Sequence, residues 1–127
     1  MTAPLFTTLA ALAFEPRHQG AHRALVQQTE NLQFVVYRLD PGGSIPAHHH
    51  SGSWDISLVL SGALVVTCRH PEVPEVCRCE AGAIGIVPPG VVHAIANASE
   101  TEPATFALLQ SPGTGFDFVR AGATPES

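Results

Sequence analysis

Lysine is absent from this chain. All six basic residues are arginines, set against eleven acidic ones, for a formal net charge of -5. With no basic cluster there is no phosphate-tracking surface, which argues against a nucleic-acid partner. Charge of either sign is scarce: charged residues make up 13% and apolar ones 45%, the balance of a globular chain rather than a disordered one. Helical periodicity is missing too. Nowhere in the middle do apolar residues keep a 3.6-residue period for three turns, so long amphipathic helices are not expected. The apolar stretch "APLFTTLAALAF" near the N-terminus is too short to span a bilayer. It also lacks the basic region and cleavage site of a secretory signal. No membrane association and a cytoplasmic location are the expectations. That stretch reads as a first strand or a helical turn covering one end of the domain. Cysteine is limited to Cys68, Cys77 and Cys79. An odd number without an export signal is no disulfide framework, although Cys68 and Cys77 would face each other if "HPEVP" is a hairpin loop. Four soft ligands for a thiolate metal site are lacking.

What is present points to strands. A length of 127 residues suits a single domain, 1–127. Eleven glycines and eleven prolines fit many short strands joined by turns. Strand-like runs follow one another: "HRALVQQT", "LQFVVYRL", "SIPAHHH", "WDISLVLS", "GALVVTCRH", "EVCRCEAG", "AIGIVPPG", "VVHAIANAS" and "ATFALLQS". Pro46 excludes a helix interior, and "DPGG" at Asp40–Gly43 breaks the chain. The expected architecture is an all-β sandwich or barrel, its core spanning about 23–111. The tail after Pro112 should be loosely held at its end.

Three consecutive histidines, His48, His49 and His50, stand before the run "WDISLVLS". In an extended chain residues two apart share a face. His48 and His50 therefore point one way and His49 the other. Asp55, Ser57 and Val59 share a face, and the turn "SGS" can swing Asp55 toward the two histidines. His93 adds a third imidazole from another strand. The candidate metal set is thus His48, His50, His93 and Asp55, with Asp55 bound directly or through a water. Imidazole suits Zn, Fe and Ni, and a carboxylate extends the range toward Mn. Asp55 is also the one candidate general base if it is not a ligand.

The pattern resembles the cupin superfamily. Its first motif is a glycine, five residues, His-x-His, three or four residues, a glutamate, six residues and a glycine. Gly42, His48, His50, Asp55 and Gly62 stand at those spacings, with Asp55 where Glu is usual. The second motif is matched by Gly82, Pro88, Gly90, His93 and Asn97. The resemblance implies a jelly-roll, double-stranded β-helix barrel. It implies a divalent metal (Fe, Mn, Ni or Zn), Asn97 as a structural hydrogen-bonding residue, and a homodimer formed through an outer sheet or the N-terminal segment. The activities it implies are dioxygen-dependent cleavage of an enol-like substrate, isomerisation or lyase chemistry. A non-catalytic cupin binding a small ligand or metal as a sensor is the alternative, and a storage role a third.

The remaining candidates carry less chemistry. His18 and His22 would share a face only on a helix, and His70 sits in a proline-bounded loop. Trp54 alternates away from Asp55 toward core or interface. A pocket lined by Phe34, Val36, Val59, Ile95, Phe106 and Leu108 would favour a small, partly apolar molecule with an oxygen-chelating end. The cysteines are expected on a hairpin away from both motifs and tolerant of replacement by serine.

Overall fold

The computed structural model describes residues 2–115 and 117–121. One turn of 3-10 helix at Leu9–Ala11 precedes the strands. They are β1 (Glu15–His18), β2 (Ala21–Gln28), β3 (Gln33–Leu39), β4 (Ser44–His49), β5 (Trp54–Ser61), β6 (Ala63–Cys68), β7 (Val76–Glu80), β8 (Ile84–Val87), β9 (His93–Asn97), β10 (Ala104–Ser111) and β11 (Val119–Arg120). They form two antiparallel sheets. One has the order β1-β2-β3-β10-β5-β8 and the other β11-β4-β9-β6-β7. This is the expected all-β jelly-roll arrangement. Every expected run is a strand, and β1 and β11 extend the sheets beyond them at both ends.

Strand alternation builds the core. On β10, Ala104, Phe106, Leu108 and Gln110 are buried in strict alternation. On β3, Val35, Tyr37 and Leu39 face the same interior, and the Tyr37 ring stacks on Phe106 at 5.4 Å. Fully burying side chains of this size contributes about 2–3 kcal/mol each. Phe34 and Val36 therefore lie on the outer face, paired with Leu109 and Ala107, and line no part of the interior pocket. Both faces of β3 carry apolar residues, so its alternation does not say which face is inside. Trp54 is likewise on the outer face and 47% exposed, not in the core.

Two turns fix the site's framework. Gly62 takes φ 74°, and a Cβ there would lie 2.6 Å from the Pro103 carbonyl, so only glycine lets β5 pass into β6 at this point. Asn97 Nδ2 donates to the carbonyls of Leu39, Asp40 and Glu102, while its Oδ1 accepts from Ser99 N. It ties the β3–β4 and β9–β10 loops together, the structural role its motif position implies.

The C-terminal segment supplies a short strand. β11 pairs with β4, with Val119 opposite His49 and Arg120 opposite His48. This part of the segment after Pro112 thus borders the site; the end of the tail, expected to be loosely held, lies outside the described residues.

Candidate metal centre

β4 and β9 pair with His48 directly opposite His93. His50 follows just past the end of β4, and the Gly90 amide donates to its carbonyl at 2.8 Å, linking the two histidine-bearing segments. Asp55, second residue of β5, enters from the opposite sheet. One donor atom from each of His48, His50, Asp55 and His93 lies within 4.8 Å of all the others, and all four residues are buried. The four predicted ligands are brought together as a set.

Second contacts fix how each donor points. His48 Nδ1 donates to the Pro46 carbonyl at 2.7 Å, and His93 Nδ1 donates to Val91 at 3.0 Å. His50 Nδ1 donates to the Asp117 carbonyl. A carbonyl only accepts, so each ring carries a proton on Nδ1 and turns Nε2 inward; with Nε2 deprotonated, this is the tautomer a metal-binding imidazole needs. Asp55 Oδ2 lies 3.2 Å from His93 Nε2 and 3.3 Å from His50 Nε2. Asp55 Oδ1 accepts from Gln110 Nε2 at 3.0 Å, and Gln110 Oε1 accepts from Gln33 Nε2 at 2.9 Å. The carboxylate is held by one oxygen and aimed with the other.

Electrostatics agree with a cation-binding centre. Burial pushes His48 down to about 4, outweighing its Pro46 bond, so the ring is neutral and able to ligate. Burial alone would raise Asp55. Hydrogen bonds from His50 and His93, the His50 charge and Gln110 overcome it and hold the carboxylate well below its usual range. Burial opposes charge on His50, but Asp55 and the Asp117 carbonyl raise it. An oxygen facing two imidazole nitrogens calls for a positive species between them, a proton or a metal ion. Three nitrogen donors and one oxygen donor fit a divalent transition ion.

Phe118 stacks on the His48 ring at 4.0 Å and 14°. Asp117 anchors that segment by accepting from the Ser51 amide and hydroxyl, at 2.8 and 2.7 Å. These residues carry no sequence signal, because their segment resembles a loose tail. Gln110 does carry one: a glutamine on the apolar face of a strand.

A cavity of about 440 Å³ opens beside Asp55 and His93, walled by Val59, Leu64, Val66, Ile95, Phe106 and Leu108. Of the expected lining, Val59, Ile95, Phe106 and Leu108 are there. Ser57 lines it too, its hydroxyl 3.5 Å from the Gly85 carbonyl. The cysteines are a correction. Cys68, Cys77 and Cys79 all line this cavity, and Cys68 sits directly opposite His93 across β6–β9. They are free thiols, because Val66 and not Cys68 pairs with Cys77. The remaining histidines stay outside the cluster. His22 Nε2 meets Asp40 at 2.9 Å, His18 stacks on Phe118 at 5.1 Å, and His70 Nδ1 accepts from the Glu72 amide.

Known proteins share this fold. The family described as the cupin domain matches residues 35–109. The auxin-binding protein ABP19b of Prunus persica is 29% identical over 121 residues, covering 93% of this chain and 54% of its own length. The chain spans about half the length of the curated relatives it matches. A double-stranded β-helix protein of Klebsiella pneumoniae, itself uncharacterised, is 28% identical with TM-score 0.74, covering 94% of this chain and 99% of that one. The polyketide cyclase RemF of Streptomyces resistomycificus superposes with TM-score 0.80 over 97% of this chain and 89% of its own, at 14% identity, a likeness of fold. With both histidine motifs inside the matched region, the chain belongs to the cupin family.

Proposed function

We propose that this cupin is a metal-dependent enzyme acting on a small organic substrate that chelates through oxygen, with dioxygen-dependent cleavage favoured over isomerase or lyase chemistry. The observation that carries it is the donor set: three Nε2 atoms and one carboxylate oxygen converge, each locked by a second contact, beside an apolar cavity. His48, His50 and His93 would hold a divalent ion (Fe, Mn, Ni or Zn), with Asp55 Oδ2 completing the set. Such an ion supplies Lewis acidity and a template for substrate oxygens. The chain does the rest. Gln110 keeps Asp55 in one orientation, and the carbonyls of Pro46, Val91 and Asp117 keep the imidazoles in one tautomer. Val59, Phe106 and Leu108 exclude water and seat an apolar substrate body. Asp55 is the proton acceptor nearest the centre wherever its Oδ2 is not engaged. Ser57 has no histidine free to activate it.

A non-catalytic ligand-binding role is the second reading, favoured by relatives named for binding auxin. Metal analysis of the purified protein, coupled to a turnover and oxygen-consumption screen over enols, diketones and thiols, separates the two. Metal-dependent turnover lost in His48→Ala, His50→Ala and His93→Ala supports the enzyme. Undiminished activity in metal-free protein sinks it. Stoichiometric metal with ligand binding and no turnover selects the binding module.

A further inference from the structure

The candidate metal centre has a second, smaller compartment that adjoins the apolar cavity, sharing Asp55, Ile95 and Leu108 with it. It is lined by Arg23, Tyr37, His48, His50, Gln110 and Phe118, and Asp55 borders both compartments. Arg23 and Tyr37 are directly opposed across β2–β3. Opposed residues on paired strands share a face, so Arg23 points inward beside the buried Tyr37 ring. An inward arginine in a barrel otherwise lined by apolar and ligand side chains needs a reason. No carboxylate oxygen lies within 4 Å of its guanidinium among the described residues. Glu15 stands opposite it on β1 but is exposed and makes no such contact.

We propose that Arg23 and Tyr37 form an anion subsite for the carboxylate of a ligand whose apolar body occupies the larger cavity. This rests on the centre being a ligand-binding metal site. The chemistry fits. A guanidinium presents a planar fork of donors that matches a carboxylate with two parallel hydrogen bonds. Burial raises the Tyr37 phenol, so it stays protonated and donates. Partial burial of Arg23 strips water from its charge, which strengthens any anion contact made there. Gln110 is already committed to Asp55 and Gln33, and the three imidazoles to their carbonyls. Arg23 and Tyr37 are linked by a side-chain hydrogen bond, which uses one of the five guanidinium N–H donors and leaves the Tyr37 hydroxyl able to donate onward. The ligand class that follows is a small monocarboxylate with an aryl or branched aliphatic tail.

The test uses the full chain loaded with zinc, its metal content measured first. Calorimetric titration with 4-phenylbutanoate and with 4-phenylbutanamide gives the preference for the carboxylate. A charge-assisted contact predicts that Arg23→Met lowers this preference about ten- to a hundredfold, that Arg23→Lys restores part of it, and that Tyr37→Phe lowers it several-fold. Arg78→Met removes an equal charge from β7, where Arg78 is exposed, pairs with Glu80 and lines neither compartment; it should leave the preference within about twofold. Zinc content and melting temperature should match wild type in all four variants. If Arg78→Met acts as strongly as Arg23→Met, or if neither changes the preference, the subsite is wrong. Zinc-loaded wild type that binds neither probe also overturns it. Failure of wild type to hold zinc would instead defeat the metal reading beneath it.

Discussion

At the scale of single residues, the centre depends on atoms that are not ligands. Asp55 is one methylene shorter than the glutamate of the usual motif, a loss of about 1.5 Å of reach. Its Oδ2 nevertheless stands among the imidazole nitrogens, because β5 brings it in and Gln110 holds its other oxygen. Gln110→Leu should therefore leave all four donors present and still weaken metal binding about tenfold or more, measured by competition with a chromogenic chelator. Unchanged affinity would mean that Asp55 needs no orienting partner. Titration gives a second expectation. His48 is depressed to about 4 by burial, so the unfolded chain takes up its proton first as pH falls below about 6.5. The stability contributed by the neutral ring is full above that point and is lost as pH drops toward 4. His50 is shifted the other way and contributes stability below 6.5 that fades as pH rises through its folded value. The two partly cancel in the apoprotein. Metal binding removes the cancellation, because all three rings must be neutral to ligate. Metal-loaded protein should lose its gain in melting temperature steeply below about pH 6.5, while the apoprotein changes less over the same window.

At the scale of elements, the β6–β7 hairpin decides access to the larger cavity. Cys77 is exposed and lines it, whereas Cys68 and Cys79 are partly buried there. Burial pushes the latter two thiols up and leaves less reactive thiolate on them. N-ethylmaleimide should label Cys77 first. The adduct should block ligand binding or turnover while metal content stays at the wild-type level. Cys77→Ser should abolish this sensitivity while keeping the fold. Labelling that leaves binding intact would show that the cavity is not the ligand's route. The hairpin also marks where sequence stops being legible. Both motifs were readable because glycine, proline and histidine spacings are local, and strand alternation gave the directions of His48, His50, Asp55 and His93. The position of the cysteines was not readable, because it depends on β6 lying between β9 and β7, a long-range pairing without a local signal. Phe118 and Asp117 failed for the same reason: two residues of β11 make a strand only because β4 offers an edge. Phe34 and Val36 failed differently, since β3 is apolar on both sides.

At the scale of the whole molecule, apolar surface is left uncovered on one side. Ile56 pairs with Ile86 and Leu58 with Ile84 across β5–β8, and with Trp54 they form a continuous outward patch, each 39–71% exposed. Leu5, Phe6 and Leu9 of the N-terminal segment are exposed as well, by 77, 91 and 49%. Contiguous apolar patches of this kind mark association surfaces, and β8 is a sheet edge able to receive a partner. A second copy of the chain offers both features at once, so we predict a two-fold homodimer with this face inside. In a two-fold interface every substitution counts twice. Removing the half-buried contribution of Ile86 costs about 1.5 kcal/mol per copy. Ile86→Lys should then weaken association by about a hundredfold or more, beyond any charge repulsion. Light scattering across micromolar concentrations should show wild-type dimer and mutant monomer. Trp54 is the only tryptophan and lies in the patch, so its emission should shift to the red as the dimer dissociates. Wild type that scatters as a monomer at those concentrations would rule the dimer out. A dimer that survives Ile86→Lys with unchanged emission would place the interface on another face.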